Sequence, residues 1–464
     1  MIGINYKIVY ASAIAMVFLS ACKKERPDVG AVPPTTVSLP VTIASSTLVK
    51  DTAIKVSRDL YLWNTQIPAT FNAADYADPS EIMKAIRPFS MEPGFSSPVD
   101  KWSFAMKKTE WNQMSEGIGS LVSGKNEAGD FGMFVFFRAE GDLRVRLVEP
   151  NSPAGLAGIK RGWRITQING NSDINTANSS TVVNSIYYSL STSFKFTRPD
   201  GSSVSISLNA AHYAEKPVFL DTVYTNGSER IGYLVFNSFL GNSGLINAEF
   251  QRVFSKFASQ QVTNVVVDLR YNGGGYVSLA EKLANYLAPA DASGGVMMKQ
   301  IYNSQNSSNN VTTYIAKTGN LQLQKVYFIV SKSTASASEL LINVLKPYMD
   351  VRLIGPSATH GKPVGFFPVS AGDWYVFPVS FKTINKNGEG NYYNGLPVNA
   401  SVADGLDKDW GDVNESCLAS AIKNITTGAY FRSASETFSS TPQITNSNDL
   451  LDKPFIKATI GKEL

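Results

Sequence analysis

Between residues 215 and 422 the chain alternates short apolar runs with amphipathic helical stretches, and this alternation restricts its fold more than any other feature. Residues 262–269 read as a largely apolar, buried strand, 278–287 as a helix, 325–331 as a second strand, 338–349 as a second helix and 351–355 as a third strand. Buried strands joined by helices predict a covered, mostly parallel sheet, an α/β core. A helix over 416–425 closes this unit, which we place at residues 215–431.

At 464 residues the chain is too long for one core, and its upstream part changes character twice. Residues 132–137, 143–147 and 203–208 are strand-like, and the last two alternate apolar with polar residues as half-buried strands do. Between them, the stretch from Glu149 to Gly170 reads as a short helix, a glycine turn, a strand and an Asn-Gly turn. This β-rich unit spans 114–209. Residues 46–113 place Leu48, Ala53, Val56, Leu60 and Trp63, then Ile82, Met83 and Ile86, among polar residues, which predicts a small helical cap domain. Residues 22–45 carry Pro27, Pro33, Pro34 and Pro40 without helical or strand periodicity and read as a tether. Residues 432–464 are rich in Ser, Thr and Asn and predict a polar C-terminal tail.

The first 21 residues hold one charge, Lys7, then an apolar run closed by Ser20 and Ala21, the pattern of a secretory signal peptide. A membrane-spanning helix needs about 20 apolar residues, and this run is shorter. Leu19-Ser-Ala-Cys22 resembles the bacterial lipoprotein signal. That resemblance implies acylation of Cys22 and a lipid-anchored protein of the bacterial cell envelope, facing the periplasm, with the cell surface as the other location; an ordinary cleavable signal is the competing reading. Cys417 would be the only other cysteine, which excludes an intramolecular disulfide in the mature chain. Loss of Lys7 takes the formal charge from +4 to +3, with both signs mixed throughout, and nothing points to nucleic acid. His212 and His360, the only histidines, lie in no ligand spacing, so no metal and no cofactor are expected.

The densest chemical signal is Ser333-Thr-Ala-Ser-Ala-Ser-Glu339, after a buried strand and before an amphipathic helix. Ser336 falls at the helix start, where unpaired backbone N–H groups can meet an oxyanion. Serine is also a common helix cap, so the heptad alone leaves that structural role open. A nucleophilic serine needs a base, and a lysine serves when burial disfavours its charged form. Lys362 is the candidate, in the loop leaving the next strand of the same βαβ unit, where parallel neighbours bring strand ends to one edge. The strand 265–268 runs into Gly273-Gly-Gly275. No phosphate-loop pattern accompanies these glycines, which instead allow backbone N–H groups to approach a reacting carbonyl.

Taken in order, the β-rich segment, Asp268-Leu-Arg-Tyr-Asn-Gly-Gly-Gly275, Thr334-Ala-Ser-Ala-Ser-Glu339 and Gly361-Lys362 resemble the C-terminal processing peptidases, or tail-specific proteases, over residues 114–425. The resemblance implies a multidomain α/β protein: a small N-terminal helical domain, a PDZ-like β-rich domain and a catalytic domain of the crotonase/ClpP-like type. It further implies Ser336 as nucleophile, Lys362 as general base, and Ala337 with Gly273 or Gly274 as oxyanion donors. Gly117-Ile118-Gly119 would be the PDZ loop that holds a substrate carboxylate, and the substrates would be polypeptides with unstructured C-termini. Family members often place a glutamine four residues after the lysine to orient it; here that position is Phe366. The segment between Ser336 and Lys362 is also one residue longer than usual, near His360, which reads either as a surface residue or as a group orienting Lys362. A PDZ-containing lipoprotein that binds peptides without cleaving them is the alternative from another functional class, and a small-molecule esterase is a third.

Overall fold

The computed structural model describes residues 42–115, 118–119, 129–431, 447–448 and 450–451. The signal peptide, Cys22 and Gly117 lie outside the described residues. The described part opens with α1 (Thr42–Leu60), α2 (Pro79–Ile86), strand β1 (Phe104–Lys107) and α3 (Lys108–Ser115). Asp78 starts α2 by accepting from the Ser80 and Glu81 N–H groups, with Pro79 at the first helical position. Thr42 already lies in α1, inside the predicted tether.

After β2 (Ile118–Gly119) come β3 (Met133–Ala139), β4 (Asp142–Val148), α4 (Pro153–Leu156), β5 (Arg164–Ile168), α5 (Ser179–Tyr187), β6 (Ser191–Thr197) and β7 (Ser203–Asn209). The five strands from β3 to β7 form one antiparallel sheet in sequence order, which leaves β3 at an edge. Phe134, Val135, Phe137, Leu143, Val145, Phe194 and Phe196 build its core against Val182, Val183 and Ile186 of α5. Strand β8 (Tyr213–Ala214) pairs with β2 and leads into the next unit.

That unit holds β9 (Val218–Asn226), β10 (Glu229–Phe236), α6 (Ser243–Ser259), β11 (Asn264–Asp268), α7 (Val277–Leu287), β12 (Val296–Tyr302), β13 (Val311–Tyr314), β14 (Lys325–Ile329), α8 (Ala337–Leu345) and β15 (Asp350–Gly355). There follow β16 (Val364–Gly365), β17 (Val369–Ala371), β18 (Trp374–Phe377), β19 (Phe381–Asn385), β20 (Ala400–Ser401) and α9 (Ser416–Thr427). The central sheet runs β20-β15-β14-β11-β10-β9, parallel except for β9. Alternate side chains serve opposite faces: Val265 and Val267 join α6, α7 and α8 in one core, while Val266 joins Cys417, Leu418 and Ala421 of α9 in the other.

Residues 46–113 differ from the expected self-contained helical cap. β1 pairs with β18, and Tyr61, Trp63, Ile82, Met83 and Trp102 share their core with Val364, Val376, Val379 and Tyr393. Helices α1, α2 and α3 present too little apolar surface to close a core alone, so the segment packs on β16, β18 and the stretches that follow them.

Candidate active site

Parallel pairing of β11, β14 and β15 carries three loops to one edge of the central sheet, and the candidate residues stand in those loops. Ser336 lies between β14 and α8 with φ 55° and ψ −116°, a positive-φ conformation outside the allowed regions that costs a non-glycine residue energy and persists where neighbours impose it. The neighbours are visible. Thr334 Oγ1 donates to the Leu269 carbonyl at 2.7 Å, the Ala335 N–H to the Asn272 carbonyl at 3.1 Å, and Ser338 Oγ to that same carbonyl at 3.0 Å. The glycine-rich loop thus clamps the serine turn. It passes so close at Gly274, where φ is 102°, that a Cβ there would lie 2.8 Å from both the Ala335 oxygen and Ser336 Cβ.

Glu339 connects this turn to Lys362. Its fully buried carboxylate accepts from the N–H groups of Ser336 (3.0 Å), Gly361 (2.7 Å) and Lys362 (2.8 Å) and from Thr359 Oγ1 (2.5 Å). Burial pushes this carboxyl up to about 7 while the four donors pull it down. Lys362 is 3 % exposed, and its Nζ sits 4.0 Å from the centre of the Phe366 ring. Phe366 is itself held edge-on by Phe104 of β1, at 5.1 Å, and Phe377 of β18, at 5.7 Å. An aromatic wall therefore stands where the family resemblance leads one to look for a glutamine.

His360 is not the surface residue that one sequence reading allowed. Its Nε2 accepts from Trp102 Nε1 at 3.0 Å, and burial together with the Lys362 charge lowers its pKa to about 4, leaving a neutral ring that ties the N-terminal segment to the lysine loop.

Beneath the glycine-rich loop lies a second buried polar cluster. Arg270 bonds Asp268, Asp404 at 2.7 Å and Glu415 at 2.8 Å. Arg161, from the five-stranded unit, also pairs with Asp404 and donates to the Tyr271 hydroxyl at 2.7 Å. Tyr271 enters the core of that unit. The contact between the two units and the base of the glycine-rich loop are therefore built on the same residues.

Ser336, Ala337, Lys362 and Gly275 line one cleft, with Phe366 and Tyr392 on its walls. Ala337 opens α8, where the first N–H groups have no intrahelical acceptor. The N–H of Gly274, one of the two expected glycine donors, donates to Asn272 Oδ1 at 2.9 Å. Ile118 and Gly119 form β2 against β8. Sequence reasoning assigned no role to Glu339, although the Ser336-x-x-Glu339 spacing is a capping-box pattern and was the available signal. Among the described residues no group of His, Cys, Asp and Glu has metal-holding geometry, and no helix is long and apolar enough to cross a membrane.

Residues 230–392 match the family model of Peptidase family S41. The protein named "Probable CtpA-like serine protease" in Staphylococcus epidermidis (strain RP62A) is 25% identical over 275 residues, 57% of this chain and 50% of that protein. Carboxy-terminal processing protease CtpB of Bacillus subtilis (strain 168) is 24% identical over 316 residues, 65% of this chain and 60% of that protein. The chain thus spans about half the length of the curated relatives it matches. A crystal structure described as an S41 protease from Bacteroides fragilis NCTC 9343 superposes with a TM-score of 0.63 at 22% identity, covering 85% of this chain and 99% of that one, a likeness of fold.

Proposed function

We propose that this chain is a serine peptidase of the S41 C-terminal processing type, cleaving exported or unfolded polypeptides through Ser336 and Lys362. The observation that carries the reading is the Glu339 carboxylate, bonded to the backbone of both residues while they line one cleft. In this mechanism Ser336 Oγ attacks the scissile carbonyl and Lys362, in its unprotonated form, takes the proton. The Ala337 N–H, with a second N–H from the glycine-rich loop, faces the oxyanion. Lys362 then returns the proton to the leaving amine; water, deprotonated by the same lysine, attacks the acyl carbonyl, and Ser336 Oγ takes that proton back from Lys362 as it leaves.

The five-stranded unit would act as a PDZ-like module that recognises substrate C-termini, and Cys22 would carry the lipid that holds the protein in the envelope. The test is cleavage of unfolded casein by the parent chain and by Ser336→Ala and Lys362→Ala, with fragments followed by mass spectrometry. Loss of fragments in both variants is expected. Equal cleavage by Ser336→Ala would overturn the nucleophile assignment, and peptide binding without turnover by the parent would favour the non-catalytic binding protein.

A further inference from the structure

The edge of the five-stranded sheet is already occupied by the chain itself. Among the described residues β3 pairs with one strand, β4, so no described strand covers its other side. On that side the Phe137 N–H donates to Asn448 Oδ1 at 2.9 Å, and the Phe137 carbonyl accepts from Asn448 Nδ2 at 2.9 Å. One carboxamide thus makes the pair of bonds that an added antiparallel strand would make. Ser447 Oγ donates to the Thr176 carbonyl at 3.1 Å, just ahead of α5. Leu451 is fully buried in the core of this unit, and Leu450 packs against it. Helix α5 borders the same edge: the Val135 N–H of β3 donates to the Tyr187 hydroxyl at 3.1 Å.

We propose that Ser447, Asn448, Leu450 and Leu451 are an internal ligand of the groove between β3 and α5, so that an incoming peptide must displace them. This rests on reading the five-stranded unit as the peptide-recognition module. The physical basis is that an extended peptide joining a sheet edge needs backbone bonds from the edge and an apolar pocket for a side chain. Asn448 takes the first at Phe137 and Leu451 the second. A ligand on the same chain competes at an effective concentration in the millimolar range for short connections, so it suppresses weak or incidental peptides and yields to those that bind well. The residues 432–464, read from sequence as a polar tail, thereby include a segment with a specific seat.

The experiment titrates a fluorescein-labelled peptide of residues 444–455 into the full chain carrying Ser336→Ala, with and without Asn448→Ala plus Leu451→Asp. Binding about tenfold tighter in the tail variant is expected, because the groove no longer spends its time filled. Equal affinity, or no binding to either, overturns the internal ligand. Asn448→Ala alone leaves the apolar core untouched and should shift affinity in the same direction by a smaller factor, which guards against a misfolded Leu451→Asp. Casein turnover with Ser336 intact separates this proposal from the peptidase reading. The tail variant should show about tenfold lower KM at unchanged kcat, with the peptide added in trans raising KM again. Identical turnover in both chains with no gain in peptide binding leaves the peptidase and removes the internal ligand. A gain in peptide binding with no turnover in either leaves the internal ligand and removes the peptidase.

Discussion

Asp404, which is partly buried, and Glu415, which is buried, sit among guanidinium groups, whereas the fully buried Glu339 is surrounded by backbone N–H groups and a hydroxyl. Burial alone would raise all three carboxyls. At Asp404 the Arg161 and Arg270 charges overcome it and hold the group well below the carboxylate range, and at Glu415 the Arg270 charge and hydrogen bonds lower the carboxyl despite its burial. At Glu339 four neutral donors do not, and burial keeps it near 7. The difference matches what each cluster does. The paired cluster stays ionised across physiological pH and bolts the five-stranded unit to the glycine-rich loop. The dipole-held carboxylate positions Ser336 and Lys362 and changes charge close to neutrality.

The largest effect should follow from breaking the paired cluster at its centre. Arg270→Met leaves Asp268, Asp404 and Glu415 without their shared cation, and should lower stability by about 3–5 kcal/mol in urea unfolding. A loss within experimental error would mean that the network contributes nothing net. Next is Glu339→Gln, read as a function of pH. The folded pKa of about 7 lies above the ordinary 4.5, so this group favours the folded state below pH 4.5, and that contribution is lost as pH rises through 7. The stability of Glu339→Gln relative to the parent should therefore climb by up to about 3 kcal/mol between pH 4.5 and 7. Using the difference removes His360, whose depressed pKa has the opposite sign. A flat difference would show that burial does not raise the Glu339 carboxyl above its ordinary value.

Arg161→Met tests the domain bolt alone, since Asp404 keeps Arg270 and the Tyr271 hydroxyl. A loss of about 2 kcal/mol, with increased proteolysis between the two units, is expected. No change in either measurement would place the domain contact elsewhere. The smallest effect belongs to Thr359→Val, which removes one of four donors to Glu339. It should cost about 1 kcal/mol and lower kcat severalfold at unchanged KM. A change confined to KM would separate Glu339 from the chemistry.

Local signals in the sequence located most central elements. The helix predicted at 278–287 is Val277–Leu287, and the strands at 325–331 and 351–355 are Lys325–Ile329 and Asp350–Gly355. The helix predicted to reach residue 349 stops at Leu345, because Pro347 has no N–H with which to continue the ladder, although Lys346 itself keeps helical dihedrals. Ser336 was legible because its turn is contiguous in sequence, and Lys362 because adjacent parallel strands deliver their loops to one edge. Glu339 was legible only as a cap. Its work depends on Thr359, Gly361 and Lys362, which reach it through the β14–β15 pairing.

What the sequence determined by itself is what depends on periodicity and short spacing: the α/β core, the serine at a helix start, the lysine loop and the glycine-rich loop. The tertiary structure alone decided which distant groups meet. Phe104 supports the ring beside Lys362, Arg161 reaches Asp404 across 243 residues, and Asn448 reaches Phe137 across 311. Burial is the reason. A buried carboxylate or open strand edge must find partners somewhere, and the sequence states that need without naming the residue that meets it, since that residue is chosen by how the layers pack.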